Sequence, residues 1–268
     1  MDAYWVLSAV GRDVKVETNT LRTVLLVFHS LNFLICSLGN SLNPRPSPDE
    51  AQCRMEARNR GWNPVIVGIT AGLQHLTVIS LGLLCAYLVC VIWAMPDTAA
   101  QLVPVVMPLQ SCVGILYWTL ALYDPWLLFP RGGFPKDSKI ANALVRMFTV
   151  WPSTKYPLTP FMWVLLHQQH TLAPLHLWVE AYNGLLPSPD LSLTAECCVA
   201  LSAALAYHVF NMFCWHVRQL PAYPVQTLLQ KGGGATIFYV ACVVTLLLSQ
   251  ITGYQLRSSM HTGPKMAT

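Results

Sequence analysis

The chain has 268 residues, of which 54% are hydrophobic and 10% are charged. Soluble domains carry roughly 25% charged residues, so this composition excludes an ordinary soluble domain and predicts an integral membrane protein. The formal net charge is +4, but the basic residues do not form the clustered face that nucleic-acid binding needs. No nucleic-acid partner is therefore expected.

Long apolar runs along the chain approach the ~20 residues that cross a bilayer core as a helix. We count about six such runs, at residues 21–39, 62–84, 103–123, 159–182, 194–217 and 234–254. They predict an all-α polytopic membrane helix bundle that forms a single integral membrane domain over residues 1–268. The second run continues to Met95, which predicts a tilt or an extension beyond the membrane.

Lysine and arginine are distributed unevenly between the predicted loops. Loops one, three and five hold 11 of the 16 basic residues, and loops two and four hold none. The positive-inside rule then places the odd loops in the cytoplasm and both termini on the opposite side. The expected location is a multi-pass protein of the endomembrane system or the plasma membrane.

Two histidines lie inside the fourth predicted span, in His167-Gln168-Gln169-His170-Thr171. Burying imidazole and amide groups in hydrocarbon is costly, so such residues usually mark a cavity or a reacting site. The spacing of three residues places His167 and His170 on one face of an α-helix. This face is the strongest indication of chemistry in the chain.

Three chemistries use histidine in this setting. A bis-histidine haem needs imidazoles from facing helices, and the third span has none, so a haem between His75 and either His170 or His208 is a minority alternative. A di-iron oxidase needs more ligands, usually carboxylates or doubled histidines. The 9 cysteines lack CxxC spacing, so neither zinc nor disulfides are predicted. With no metal or cofactor expected, acid–base work on a hydroxyl nucleophile remains.

A threonine must reach the depth of His170 to serve as that nucleophile. On straight helices, Thr70 lies roughly 12 Å, His170 roughly 16 Å and Thr77 roughly 22 Å into the membrane. The small residues around Thr70 leave room for a substrate, although they also suit plain helix packing. Its hydroxyl also has a structural alternative, which is to bond the carbonyl one turn back. Depth favours Thr70 over Thr77.

Several motifs in order are more specific than any one of them. They are Tyr123-Asp124-Pro125-Trp126-Leu127-Leu128-Phe129-Pro130, the histidine block with Glu180 ten residues after its second histidine, and His216 followed by Tyr223-Pro224 and Gly233-Gly234-Ala235. With these motifs, from about Trp62 to Tyr254, the chain resembles the androgen-induced gene 1 family. Its members are multi-pass membrane hydrolases that cleave fatty acid esters of hydroxy fatty acids with a threonine and a histidine.

The resemblance implies a threonine hydrolase acting on carboxylic esters of lipids. His170 matches the catalytic histidine and His167 its companion, and Thr70 is the predicted nucleophile. The family usually places that threonine after an aromatic–Leu pair, where this chain has Gly68-Ile69. The expected partners are a lipid ester substrate and membrane lipids, and no protein partner is predicted. The alternative function is a non-catalytic membrane protein that binds or senses lipid.

Two acidic residues complete the predicted site region. Asp124 ends the third span on the side from which Thr70 and His170 are entered, so it or His167 is a candidate to orient the imidazole of His170. A turn role before Pro125 is the alternative for Asp124. Glu180 lies about 15 Å along a straight helix from His170, which favours a packing or interfacial role.

Overall fold

The computed structural model describes residues 3–42, 48–123, 167–219 and 234–261. Every element in these ranges is helical, which confirms the predicted all-α bundle. In chain order they are α1 (Ala3–Leu42), α2 (Pro48–Asn59), α3 (Pro64–Leu73), α4 (Leu76–Ile92), α5 (Pro96–Tyr123), a π-helical turn (Gln168–Leu172), α6 (Ala173–Tyr182), α7 (Leu193–Arg218) and α8 (Gly234–His261).

Four described helices are long and apolar enough to cross a membrane. These stretches are Thr18–Ser37, Pro96–Leu120, Leu193–Arg218 and Ile237–Met260. They correspond to the first, third, fifth and sixth predicted spans. Of the fourth predicted span, residues 159–166 lie outside the described residues, and the remainder forms the π-helical turn and α6.

The second predicted span differs from expectation because it is broken. Helices α3 and α4 meet at a bend of 80° and together make a fifth candidate span. At the break, His75 has an extended backbone with φ −80° and ψ 127°. The carbonyl of Gln74 accepts a hydrogen bond from the Tyr207 hydroxyl of α7 at 3.0 Å, and Arg218 donates to the Gln74 side chain. Helix α7 therefore satisfies polar groups that the break exposes.

Helix α5 lies at the centre of the described bundle. Its apolar window is 67% buried inside the protein, against 17–22% for the other three candidate spans. The main apolar core joins α5 to α4 and α6 and includes Leu84, Leu88, Val106, Met107 and Leu177. The outer helices therefore direct most of their apolar surface away from the protein, as helices in contact with lipid do.

Candidate active site

The π-helical turn that contains His170 has a cause in the sequence. Pro174 follows His170 by four residues, and a proline at that position removes the helical N–H donor and brings its ring against the His170 carbonyl. The chain widens by one residue instead, so the N–H of Ala173 bonds the carbonyl of Gln168. Such π-turns recur at functional sites.

Helix α1 holds this turn through a buried amide network. Asn32 donates to the side chain of Gln168 and accepts from the side chain of Gln169 at 2.5 Å. Gln168 also donates to Nδ1 of His29. Both glutamines directly precede His170 in sequence, so the network fixes the backbone that carries the imidazole. Polar groups buried in this way rigidify a structure when they are satisfied.

The His170 ring is buried and packs on aromatic residues of α5. Its centroid lies 3.8 Å from that of Tyr117, with the rings tilted by 31°. Helix α5 approaches this closely because Gly114 has no side chain: a Cβ there would lie 3.0 Å from Pro174 Cγ and 3.1 Å from the His170 carbonyl oxygen. Trp118 donates to the Thr171 hydroxyl at 3.1 Å and further ties α5 to the turn.

The hydroxyl that meets His170 belongs to Thr77. Thr77 Oγ1 lies 3.4 Å from Nε2 of His170, and both residues are buried. Because α4 begins at Leu76 after the break, Thr77 is in the first turn of that helix. The 80° bend thus presents the start of α4 to the π-helical turn.

Thr70 occupies a different environment. It is buried in α3, and its hydroxyl donates to the carbonyl of Val67 at 3.0 Å, the local bond that was its structural alternative. The depth comparison assumed a straight helix, and the bend removes that assumption. The structure therefore pairs His170 with Thr77, while a catalytic role for Thr70 stays a prediction. The sequence did contain a signal that favours Thr77. In His75-Leu76-Thr77, an imidazole–Leu pair directly precedes the threonine, as the aromatic–Leu pair does in the family that the sequence resembles.

A cavity of about 650 Å³ adjoins the Thr77–His170 pair, within the roughly 300–1,000 Å³ typical of ligand pockets. Its wall is mostly apolar and is built by α4, α5, α7 and α8, with Leu109, Val113 and Leu201 among the lining residues. Other lining side chains are exposed on the bundle surface, such as Leu205 at 64% and Val240 at 56%. The cavity therefore reaches the lipid-facing surface between α7 and α8.

The other predicted site residues have varied positions. His167 packs on Trp118, with ring centroids 5.4 Å apart. Asp124 lies outside the described residues. Glu180 is buried and accepts from Arg22 Nε at 2.6 Å and from the Tyr87 hydroxyl at 2.7 Å, while His176 Nε2 lies 3.2 Å from its carboxylate. These contacts join α6 to α1 and α4, which agrees with a packing role for Glu180.

Among the described residues, no group of three or more His, Cys, Asp or Glu side chains is arranged to hold a metal ion.

The chain matches the model of the FAR-17a/AIG1-like protein family over residues 71–258, which is most of its length. It belongs to that family. Within this FAR-17a/AIG1-like protein, the matched region contains Thr77 and His170 and begins directly after Thr70.

A curated relative gives the same picture of the protein class. The chain is 26% identical over 196 residues to the UPF0641 membrane protein PJ4664.05 of Schizosaccharomyces pombe, covering 69% of this chain and 77% of that protein. The name of the relative states a membrane protein and no activity. No solved structure matches the chain. The FAR-17a/AIG1-like protein is accordingly a membrane protein.

Proposed function

We propose that this protein is a membrane-embedded lipid ester hydrolase in which Thr77 is the nucleophile and His170 the general base. The observation that carries the proposal is the 3.4 Å contact between Thr77 Oγ1 and His170 Nε2 in the wall of an apolar cavity. A nucleophile beside a base is the arrangement that covalent catalysis requires, and catalytic hydrogen bonds are often this long in the absence of substrate.

In the first step, Nε2 of a neutral His170 takes the proton from the Thr77 hydroxyl. The hydroxyl oxygen attacks the carbonyl carbon of the ester and forms a tetrahedral intermediate. Proton transfer turns His170 into an imidazolium, whose charge is favoured by the face of the Tyr117 ring that lies 3.8 Å away, since cations are stabilised over aromatic faces.

The negative charge of the intermediate develops at the beginning of α4. The N–H groups of Val78 and Ile79 there bond the His75 carbonyl, and the helix macrodipole makes that end positive. Thr77 follows the first residue of α4, so the oxyanion forms at this positive end. A preorganised dipole of this kind stabilises the transition states of acyl transfer.

The second half of the reaction regenerates the threonine. The intermediate collapses to an acyl-threonine, and the leaving alcohol takes the proton from Nε2 of His170. His170 then removes a proton from water, which attacks the acyl carbon and releases the fatty acid. Thr77 recovers its hydroxyl proton from the imidazolium. No metal or cofactor enters any step.

The cavity favours a lipid as the substrate. Its lining is rich in leucine and valine and extends from Thr77 to exposed residues between α7 and α8. A multi-pass protein of the endomembrane system or the plasma membrane would take an ester with long acyl chains laterally from the bilayer through this opening. Fatty acid esters of hydroxy fatty acids, the substrates implied by the sequence resemblance, fit such a route.

The test uses purified protein in detergent and compares three substrates. A fatty acid ester of a hydroxy fatty acid should be cleaved faster than a short water-soluble ester or a phospholipid, and His170→Ala should abolish the cleavage. Cleavage of phospholipid alone would contradict the substrate class. Binding of the ester by wild-type protein without any cleavage would favour the second candidate, a non-catalytic lipid-binding protein.

A further inference from the structure

A chain of side-chain hydrogen bonds runs between the π-helical turn and α1, with Asn32 at its centre. Gln169 donates to Asn32 at 2.5 Å, and Asn32 donates to Gln168. Gln168 donates in turn to Nδ1 of His29. Asn32 is 0% exposed, and it is the residue of α1 that bonds both of these consecutive glutamines of the turn.

The side chain at position 32 has to donate and accept at the same time. An asparagine amide does both, through its NH₂ group and its carbonyl oxygen, whereas an apolar side chain does neither. Gln168 and Gln169 are only 3% and 6% exposed, so water has little access to replace Asn32 as their partner. Removing Asn32 takes bonds from two buried amides, which is costly. A shift of the turn toward other partners would relieve that cost.

Gln168 connects this network to the proposed base through the backbone. Its carbonyl accepts the N–H of Ala173, the bond that closes the π-helical turn around His170, while its side chain is bonded to Asn32. Nε2 of His170 lies 3.4 Å from Oγ1 of Thr77, which is already long for a hydrogen bond. A small shift of the turn would therefore separate the base from the nucleophile.

We infer that Asn32 is a positioning residue that holds His170 at the distance from Thr77 that proton transfer requires; this inference rests on the proposed function. Asn32 acts through the two glutamines of the turn and takes no part in the chemistry. It also precedes residues 71–258, the region that matches the family. A residue outside the matched region thus positions the base inside it, which makes α1 a part of the active site.

Helix α1 has further contacts that keep it in place when Asn32 is changed. Nε of Arg22 donates to Glu180 of α6 at 2.6 Å, and Leu25 belongs to the main apolar core. Arg22 precedes Asn32 by ten residues and bonds α6 rather than the π-helical turn. Docking of α1 and positioning of the turn are therefore separable by mutation.

The test compares purified wild-type protein in detergent with Asn32→Leu, Asn32→Ser and Arg22→Met. Leucine removes both amide bonds at similar size, and the shorter serine hydroxyl reaches at most one of the two glutamines. Arg22→Met is the matched control on the same helix, because it weakens the docking of α1 without touching the turn. The measurements are kcat and KM for the lipid ester, Tm, and the NMR signals of the histidine rings.

We expect Asn32→Leu to lower kcat about tenfold or more, because a displacement of about 1 Å is enough for such losses. KM should stay within about twofold, since the change leaves the cavity wall that binds the substrate intact. Asn32→Ser should give a smaller loss of kcat. Arg22→Met should lower Tm, because it leaves a buried carboxylate unpaired, and should keep kcat within about twofold of wild type.

The NMR signals report the position of His170 without any substrate. The Tyr117 ring lies with its centroid 3.8 Å from that of His170, so its ring current displaces the signals of the imidazole protons. His170→Ala identifies these signals by their loss. Asn32→Leu should move them toward the values of a free imidazole, and Arg22→Met should leave them at their wild-type values.

Several results would overturn the inference. They are an unchanged kcat in Asn32→Leu, a rise in KM alone, or an equal loss of kcat in Arg22→Met. If Asn32→Leu does not fold, Asn32→Ser decides, and wild-type kcat with wild-type signals there would overturn the inference. Displaced His170 signals in a protein that hydrolyses no ester would retain the positioning role and reject the hydrolase. Ester hydrolysis that Asn32→Leu leaves unchanged, with unchanged His170 signals, would do the opposite.

Discussion

Thr77 and His170 each lie where a helix is interrupted, and the two interruptions face each other. Thr77 stands just after the break at His75, and His170 lies in the π-helical turn that precedes Pro174. Their side chains meet at 3.4 Å although 93 residues separate them in sequence. Irregular backbone at membrane depth is tolerated where it is buried in protein or lines a cavity, and both conditions hold at this site.

The first prediction separates the two candidate threonines. Thr77→Ala should lower ester hydrolysis by at least about a hundredfold, since it removes the nucleophile. Thr70→Ala should stay within about threefold of wild type, because among the described residues the Thr70 hydroxyl bonds its own helix at Val67 and such local bonds contribute little. The measurement is steady-state hydrolysis, together with labelling by a fluorophosphonate probe. Labelling that disappears in Thr70→Ala and persists in Thr77→Ala would reverse the assignment.

A second prediction concerns pH. His170 accepts a proton only when its imidazole is neutral, so kcat/KM should be low in acid, rise as the imidazole loses its proton and then level off. An imidazole in a model peptide has a pKa of about 6.5. The measurement is the rate of the purified protein in detergent between about pH 5 and pH 8, a range that brackets this pKa. Activity that falls as the pH rises would rule out a neutral imidazole base.

The helical architecture was predictable because each membrane helix shows a long apolar run. The break inside the second span was not, because Gln74 and His75 include neither proline nor glycine. The groups that satisfy the break, Tyr207 and Arg218, lie more than a hundred residues further along the chain. Long-range contacts of this kind leave no local pattern in the sequence.

The candidate site was predictable only in part, again because long-range structure decides which residues meet. His170 stood out as a polar residue in an apolar run, and it is buried in a cavity wall. Thr70 was preferred over Thr77 on distance along a straight helix, a measure that fails across a bend of 80°. The helix-widening effect of Pro174, in contrast, is a local rule that the sequence alone contains.

A third prediction tests the close approach of α5 to the π-helical turn. Gly114→Ala would place a Cβ 3.1 Å from the backbone carbonyl of His170, which has little freedom to move. We expect the turn to shift and hydrolysis to fall about tenfold or more, since a displacement of about 1 Å is enough for such losses. The measurement is kcat together with KM for the lipid ester.

Gly82→Ala is the matched control for that change. Its Cβ would lie 3.0 Å from a Phe33 ring carbon, and this contact is with the end of a side chain rather than with backbone. Gly82 is on α4 and contacts α1, away from the cavity lining. Hydrolysis should therefore stay close to wild type in Gly82→Ala. Equal losses in the two variants would show that general packing, and not the position of His170, determines the effect.

The last prediction concerns the buried ion pair that ties α6 to α1. Arg22→Met leaves the Glu180 carboxylate without its guanidinium, and Glu180→Gln leaves Arg22 as an unpaired buried cation. Breaking one side of a buried pair costs about 3–5 kcal/mol, whereas replacing both charges is often neutral. The double variant removes both charges and keeps an acceptor for the Tyr87 hydroxyl, which bonds Glu180 at 2.7 Å. Its free energy of unfolding in detergent should therefore exceed that of either single variant. Simple addition of the two single losses would mean that Arg22 and Glu180 do not stabilise the bundle as a pair.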